Sequence, residues 1–385
     1  MKRKNKIADF ESSPLVRLHW IDDEEPIAAA SGDPLLDFAP TDESADDTVT
    51  QTTEGYLGLS CFISGDRGFP SFRGTIDAAI RLANLFRSDA GTISFCQEFQ
   101  PDRIQIDLRT GNVRWNSDAE KTEPYKLLCY MAPECIREGT LPDMISVRYL
   151  LAVLIFQLLT GGQHPLEGVG AIAPVMSRRL EQRIYGTDPV FIFDSEKKEN
   201  RPDPKIHYKA IRMWETFPDF IKDMFQRSFG EAAMRKPALR PSDADWMASL
   251  IRWQNLLIPC SCGALMSDQG TNEVRCKNCG ETTTIPFRIT FNRFRIPAVL
   301  GNRVYRCQVE ESKGYDPVSE VARIVVRGTD IHRLRIHNKS GDDWAAVTTK
   351  GEIRIVKPLE MIPLKDGITF RCGDSNISIV GTNQR

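Results

Sequence analysis

The chain has 385 residues, of which 41% are hydrophobic and 26% are charged, a composition typical of a soluble globular protein with about two to four domains. Its first residues are polar, and its longest apolar run, Tyr149 to Leu159, is too short to cross a bilayer, so neither a signal peptide nor a membrane span is expected. Ten cysteines, only four of them clustered, exclude a secreted disulfide framework and favour a cytoplasmic protein.

Charge is distributed unevenly along the chain, although the formal net charge is only −2. Residues 1–55 contain thirteen acidic and five basic residues, and they are rich in Asp, Ser, Thr and Ala. This composition predicts that residues 1–54 form an acidic, largely disordered N-terminal segment. One short apolar piece, Leu15-Val-Arg-Leu-His-Trp-Ile21, could be a lone strand or a docking segment, but it is too short to form a lobe by itself.

After this acidic segment the pattern becomes that of folded elements. Thr75 is predicted to cap a helix, because apolar residues follow it at helical spacing. Two short strands are expected at Ile104–Asp107 and Val113–Trp115, with a turn at Thr110-Gly111 between them.

The remainder of residues 55–257 is predicted to be mostly helical. The stretch Arg148–Thr160 is apolar on nearly every side, so this helix should lie in the middle of a core, and Gly161 should end it. Two further amphipathic stretches, near residues 207–228 and 243–257, are expected to complete this mostly helical unit.

Several short motifs in this helical unit follow one another in a specific order. They are Tyr130-Met-Ala-Pro-Glu134, the buried helix, His164-Pro-Leu-Glu-Gly168, Phe191-Ile-Phe-Asp194, Arg240-Pro-Ser and Trp246. In that order the set resembles the kinase-like member of the bacterial TerY phosphorylation triad, which is associated with tellurite-resistance and stress operons. The resemblance implies a protein-kinase C-lobe over residues 55–257. It also implies two protein partners, a von Willebrand A-domain protein and a metal-dependent protein phosphatase.

The positions that match a kinase active site lack the residues that phosphoryl transfer needs. No glycine-rich loop precedes residue 56, and no lysine lies between Lys6 and Lys121, so the lysine that anchors the phosphates is missing. The stretch from Glu98 to Arg103 matches the catalytic loop, and Arg103 replaces the asparagine that binds magnesium. Ser117 replaces the metal-binding aspartate. The degenerate positions Glu98, Arg103 and Ser117 therefore predict no catalytic residues and no ATP or magnesium cofactor.

Two other residues have structural roles by the same resemblance. Glu134 and Arg240 are expected to form the buried ion pair that ties the activation segment of a kinase C-lobe to its last helices. Val147 stands at the position where the kinase-like family that the chain resembles has an aspartate, which braces the catalytic loop. The fold elements are thus expected to be kept while the chemistry is lost, as in a pseudokinase.

Four cysteines in two pairs, Cys260 with Cys262 and Cys276 with Cys279, predict a zinc ribbon over residues 258–286. A glycine follows each pair and permits a close approach of the backbone to sulfur. We expect structural zinc, with unligated cysteines or another metal as alternatives. Because so small a ribbon has almost no core, metal binding should supply its folding energy.

Residues 287–385 alternate apolar and polar residues between glycine turns, and they predict a small all-β sandwich. Two stretches, Asn338–Trp344 and Leu364–Phe370, resemble later strands of a forkhead-associated domain, but the arginine and serine that bind phosphothreonine in that family have no match. Five arginines are interpreted as one solvated face or, alternatively, as a site for an acidic partner such as the N-terminal segment: Arg288, Arg293, Arg295, Arg303 and Arg306.

The predicted fold class is therefore multidomain α+β, with a mostly helical kinase C-lobe, a four-cysteine zinc ribbon and a small all-β sandwich. The favoured function is a non-catalytic, kinase-like scaffold or regulator in a bacterial stress or defence signalling complex. One alternative is an active Ser/Thr protein kinase that uses a partner's N-lobe or migrated ligands. Another is a zinc-ribbon nucleic-acid-binding protein, which the few bases around the ribbon disfavour.

Overall fold

The computed structural model describes residues 55–69, 71–87, 90–97, 99–107, 110–116, 127–173, 175–310, 316–326 and 333–382. The predictions for residues 1–54, including the short apolar piece, and those for Glu98 and Ser117 lie outside these residues. The described chain mixes helix and sheet and divides into two compact units, residues 55–250 and residues 251–382. Among the described helices, none combines the length and apolar character that a membrane crossing requires.

The first unit is mostly helical. Its helices are α1 Leu59–Ser64, α2 Phe72–Leu85, α3 Ala90–Gln97, α4 Pro133–Glu138, α5 Val147–Thr160, α6 Arg178–Gln182, α7 Tyr208–Thr216, α8 Asp219–Phe229, α9 Glu231–Arg235 and α10 Asp243–Leu256, whose last turn belongs to the second unit. Short 3-10 helices lie at Pro101–Arg103, Leu128–Tyr130, Val169–Ala171 and Pro237–Leu239, and a π-helix lies at Arg183–Thr187. Its one described sheet has the strand order β1 Tyr56–Gly58, β2 Ile104–Asp107 and β3 Val113–Trp115.

Helix α2 begins one turn earlier than the sequence predicted. The Ser71 hydroxyl accepts the Gly74 N–H at 3.2 Å, so Ser71 is the N-cap and satisfies one of the free amides of the first turn. Thr75 lies inside the helix and is only 2% exposed. The prediction of Thr75 as the cap is wrong, because a serine four residues upstream offers a hydroxyl in extended backbone geometry.

The two strands predicted at Ile104–Asp107 and Val113–Trp115 are confirmed as β2 and β3, which pair antiparallel. Gly111 turns the chain between them with a φ of 71°, a left-handed conformation that favours glycine. The Gly111 N–H donates to the Asp107 carbonyl at 2.7 Å, and the Asp107 N–H donates to the Asn112 carbonyl at 2.9 Å. These bonds close a tight hairpin.

Helix α5 lies in the middle of the core of the first unit, as its apolar sequence predicted. Phe156 is fully buried and contacts a group of aromatic rings from the following helices and loops. Its ring centroid lies 5.0 Å from that of Phe225 and 5.6 Å from that of Phe191. Phe225 in turn lies 4.8 Å from Trp246 on α10. Edge-to-face contacts of this kind add to the burial of the large rings.

The amphipathic stretch near residues 207–228 forms two helices. Helix α7 ends at Thr216 and α8 begins at Asp219, with Phe217 and Pro218 in extended conformations between them. Proline disfavours helical geometry in the residue that precedes it and cannot donate an amide hydrogen bond, so the helix must stop here. Phe217 is 2% exposed and fills the core at the break.

The second unit contains two small hairpins, β4 Leu257–Pro259 with β5 Leu265–Ser267, and β6 Glu273–Arg275 with β7 Thr282–Thr284. They are followed by strands β8 Phe287–Phe291, β9 Phe294–Pro297, β10 Arg303–Tyr305, β11 Glu320–Val326, β12 Leu334–Asn338, β13 Trp344–Val347, β14 Ile353–Val356, β15 Met361–Pro363, β16 Thr369–Cys372 and β17 Ser375–Gly381, and by helix α11 Arg306–Val309. One sheet has the order β14-β13-β16-β17-β8-β9 and the other has the order β10-β11-β12-β15.

These two sheets share one hydrophobic core, to which both contribute buried apolar residues. Trp344 on β13 is 1% exposed and stacks on Phe370 of β16 with 4.5 Å between ring centroids. The turn before β13 is held by Asn338, whose side-chain amide donates to the carbonyls of Asp342 and Val356 at 2.8 and 3.0 Å. An arrangement of two sheets around one core is a sandwich.

The arginine run at the start of this sandwich is not one solvated face. Arg288 is 1% exposed, and Arg303 and Arg306 form ion pairs with Glu320 and Glu310. Only the remaining two arginines, at positions 293 and 295, are exposed. The single-face interpretation is therefore wrong for three of the five residues, because Asp268, Glu320 and Glu310 form ion pairs with them, the last from only four residues away.

Candidate metal centre and loop contacts

Four cysteines converge at one end of the second unit. The sulfur atoms of Cys260, Cys262, Cys276 and Cys279 all lie within 4.8 Å of one another. The Cys260–Cys279 pair is separated by 3.5 Å, and the Cys262–Cys276 pair by 3.7 Å. Four sulfurs at about 2.3 Å from a tetrahedral zinc ion would be about 3.8 Å apart. The described geometry therefore fits a metal ion of this size, such as zinc.

The first cysteine pair lies in the turn that joins β4 to β5. The Cys260 N–H donates to the Ala264 carbonyl at 2.8 Å, and the Gly263 N–H donates back to the Cys260 carbonyl at 3.0 Å. Gly263 has a φ of 83°, which a residue with a β-carbon adopts only under strain. This glycine therefore lets the turn close with both sulfurs on its inner side.

The second pair lies in the turn between β6 and β7, and its hydrogen bonds repeat those of the first. The Cys276 N–H donates to the Glu281 carbonyl at 2.7 Å, and the Gly280 N–H donates to the Cys276 carbonyl at 2.9 Å. Gly280 has a φ of 79°. Two equivalent turns thus present two sulfurs each, as in structural four-cysteine sites.

The surroundings of Cys262 favour its thiolate, the form that binds metals, whereas contacts with the neighbouring sulfurs raise the pKa of the Cys279 thiol. The Ala264 backbone N–H, together with the Asn278 side-chain amide at 3.6 Å from sulfur, lowers the pKa of the Cys262 thiol to about 6. Cys260 and Cys276 are buried, whereas Cys262 and Cys279 are exposed. One side of the cluster is therefore enclosed by the unit and the other side faces solvent.

The ribbon has a hydrophobic core of its own, which the sequence analysis did not expect. Two of the cysteines pack with five apolar residues in one buried cluster: Ile258, Cys260, Met266, Val274, Cys276, Ile285 and Val299. Val299 comes from the sandwich segment, so the ribbon and the sandwich share this cluster. The expectation that the ribbon has almost no core is wrong, because four apolar residues of the ribbon pack with two of its cysteines and the neighbouring segment adds Val299.

A buried ion pair also fixes the ribbon to the sandwich, and sequence reasoning missed it. Both nitrogens of the Arg288 fork donate to the Asp268 carboxylate, at 2.5 and 2.9 Å, and Arg288 donates to the Thr271 carbonyl at 2.7 Å. The two side chains are 1% and 4% exposed. A bidentate pair of this kind imposes geometry as well as charge. No local pattern identifies Asp268, since it lies in a polar turn like many surface aspartates.

The loop that matched the kinase catalytic loop leads into β2. Arg103 is 8% exposed, and its guanidinium carbon lies 6.0 Å from the centroid of the Phe95 ring. The Arg103 carbonyl accepts the Asn116 N–H at 2.7 Å. The preceding Asp102 accepts a hydrogen bond from the Ser60 hydroxyl. The arginine at this position is therefore a buried cation packed against an aromatic ring.

The structure brings Glu134 and Arg240 together. Arg240 donates to the two carboxylate oxygens of Glu134 at 2.6 and 2.8 Å, and the Arg240 side chain is 0% exposed. Its guanidinium carbon also lies 5.3 Å from the centroid of the Tyr149 ring on α5. The pair joins the start of α4 to the segment that precedes α10, across 106 residues of sequence.

A second buried contact fixes the segment before α4, and the sequence analysis did not assign it. The His164 ring accepts the Leu166 N–H at Nδ1, at 3.1 Å, and its Nε2 faces the Cys129 carbonyl at 2.9 Å. Burial lowers the pKa of His164, so the ring is neutral with its proton on Nε2. Beside it, Tyr185 donates a hydrogen bond to Glu167. These contacts fix the geometry of the loop that carries His164 and Glu167.

No protein-family model matches the chain. The chain is 30% identical over 115 residues to Protein kinase YegI of Escherichia coli O157:H7, a match that covers 30% of this chain and 17% of that protein. It is 29% identical over 115 residues to Protein kinase YegI of Escherichia coli strain K12, covering 30% of this chain and 16% of that protein. The chain thus spans about a sixth of the length of these curated relatives. The likeness supports a kinase-like relationship.

Proposed function

We propose that the chain is a non-catalytic, kinase-derived scaffold or regulator, in which a kinase C-lobe is retained and phosphoryl transfer is lost. The observation that carries this proposal is the buried Arg103 in the loop that matches the magnesium-binding position of a kinase. A metal site cannot tolerate a fixed cation among its ligands. Two like unit charges 4 Å apart repel by about 4 kcal/mol at an effective dielectric of 20, and magnesium carries two charges.

The backbone around Arg103 supports the proposed alignment with a kinase. Both magnesium ligands of a kinase come from neighbouring loops, the catalytic loop and the segment after the next hairpin. Here the Asn116 N–H bonds to the Arg103 carbonyl at 2.7 Å, so the chain just before position 117 lies beside position 103. The two positions that should hold magnesium in a kinase carry an arginine and a serine in this sequence.

The long-range contacts of the first unit support the C-lobe part of the proposal. The Glu134–Arg240 pair joins a short helix that follows the Tyr130-Met-Ala-Pro-Glu motif to the segment before α10. The predominantly apolar α5 lies between these elements in sequence and occupies the core. In this proposal the kinase-like motifs and their structural ion pair are kept, although the catalytic residues at other positions are replaced.

The four-cysteine ribbon complements this role as a structural zinc site. Its sulfurs fit a metal of zinc size, and two of them are packed into a core that the sandwich shares. We further propose that the partners are proteins, a von Willebrand A-domain protein and a metal-dependent phosphatase of a stress-response operon. This partner assignment rests on the motif resemblance alone. The likeness to Protein kinase YegI favours a second candidate, an active kinase; its N-lobe would then come from another chain.

We expect magnesium-ATP to leave the melting temperature of the full chain unchanged. A nucleotide at one hundred times its dissociation constant would stabilise the protein by about 2.7 kcal/mol, a shift of several degrees. The measurement is a thermal scan with and without magnesium-ATP, without chelators, because these would remove a ribbon metal.

The matched controls are Arg103→Ala and Arg103→Asn. Both remove the cation, and Arg103→Asn also restores a side chain that can bind magnesium. A rise in the melting temperature of the wild type that Arg103→Ala abolishes would contradict the proposal. A rise that appears only in Arg103→Asn would support it, since it would show that the arginine is what excludes the metal and nucleotide.

A further inference from the structure

One edge of the six-stranded sheet differs from the other sheet edges of the sandwich. The opposite edge, β9, contains Pro297, and in the four-stranded sheet β15 contains Pro363 while β10 has only three residues. Proline and shortness prevent an edge strand from pairing with another chain. Strand β14, Ile353–Val356, has neither protection among the described residues, so it is the edge best able to accept a further strand.

The backbone of β14 presents free pairing positions. The Thr348 N–H donates to the Glu352 carbonyl at 3.0 Å, and Val347 lies opposite Ile353. In an antiparallel pair, residues alternate between those that bond to the neighbouring strand and those that point away from it. The amide and carbonyl groups of Ile353 and Ile355 therefore point away from β13, toward the open edge.

The side chains of this edge are also unusual. Ile353 and Ile355 are 70% and 51% exposed on one face of the strand, where surface strands ordinarily carry polar residues. On the other face, Glu352 and Arg354 are exposed and form no ion pair within the described part of the chain. An edge arginine ordinarily discourages pairing, but here a glutamate of opposite charge lies two residues away.

We propose that β14 pairs antiparallel with β14 of a second copy of this chain, centred on Ile353. In a twofold pair centred there, Ile353 lies opposite Ile353 of the second copy, and Glu352 of each copy lies opposite Arg354 of the other. Directly opposed residues of opposite charge stabilise a sheet, and like charges destabilise it. Centring on Arg354 would oppose two arginines, and centring on Glu352 would oppose two glutamates.

The charge pattern favours a second copy over an unrelated strand because it is self-complementary. An isologous interface requires that each patch match itself after a twofold rotation. The sequence Glu352-Ile353-Arg354 meets this requirement, with the apolar residue on the axis and one charge of each sign on either side. The joined sheets would bring the exposed isoleucines of the two copies side by side and remove them from water.

The test is sedimentation velocity of the full chain at increasing concentration, for the wild type and for Glu352→Arg and Arg354→Glu. The wild type is expected to associate reversibly to a dimer. Each single variant converts two attractive pairs into two repulsive ones and should weaken the dimer at least about tenfold. Both positions are exposed, so melting temperatures of the variants should match that of the wild type.

A mixture of the two variants provides the decisive arm. A mixed dimer opposes two arginines of one chain to two glutamates of the other, so the mixture should dimerise although each variant alone does not. A wild type that stays monomeric at all concentrations would overturn the proposal, and so would a dimer that the single variants leave unchanged. A mixture no better than its components would overturn the register, and with it the proposed interface.

Discussion

Replacing Cys276 with serine is expected to abolish stoichiometric metal binding and to loosen the two cysteine turns, while the first unit stays folded. Structural zinc in a four-cysteine site contributes about 10–16 kcal/mol of binding free energy, far more than a single side-chain contact. Hydrogen exchange should rise most at residues 260–263 and 276–280. It should rise less near Asp268, which the buried Arg288 holds through two hydrogen bonds.

Elemental analysis of freshly purified protein and exchange measured by mass spectrometry make this comparison. Cys307→Ser is the matched control, because Cys307 lies in the same unit but outside the four-sulfur cluster. The wild type and the control should each contain one zinc per chain. Zinc absent from the wild type, or retained in Cys276→Ser, would contradict the assignment of the site.

Replacing Glu134 with alanine is expected to destabilise the first unit by about 3 kcal/mol. The substitution leaves the Arg240 guanidinium buried without its counter-charge, and breaking buried pairs costs about 3–5 kcal/mol. We expect a cost at the lower end of this range because the Glu134 side chain is 16% exposed, so water can partly replace the lost carboxylate. The contact of Arg240 with the Tyr149 ring also remains.

Chemical denaturation monitored by far-ultraviolet circular dichroism measures this loss. Glu138→Ala is the control, because Glu138 is an exposed glutamate on the same short helix. Its cost should be within about 0.5 kcal/mol of zero. Equal stability changes in the two variants would mean that the ion pair does not hold α4 in place.

Elements with a strong local signal were predictable from the sequence. Helix α5 is hydrophobic on nearly every side, so its burial required no tertiary information. The hairpin of β2 and β3 carries its turn glycine, and the cysteine pairs carry their own spacing. In each case the residues that fix the structure lie within a few positions of one another.

Features that depend on distant partners were not predictable. Arg288 lies in an alternating strand pattern, but its burial follows from Asp268, which approaches it only in the folded unit. The break between α7 and α8 at Pro218 was not assigned from the sequence, which indicated only an amphipathic stretch there. The open edge of β14 depends on the strand order of the sheet, which no local pattern encodes.

Transfer of the γ-phosphate of ATP by the full chain, to itself or to a general protein acceptor, would show whether the kinase-like unit is catalytic. The comparison uses wild type beside Glu98→Gln, which neutralises the carboxylate at the position of the catalytic base. We predict no incorporation of phosphate above that of a protein-free reaction, equally in both proteins, because in the proposed alignment Arg103 and Ser117 stand in place of the magnesium ligands. Incorporation that increases with the amount of wild-type protein and is lost in Glu98→Gln would contradict this prediction.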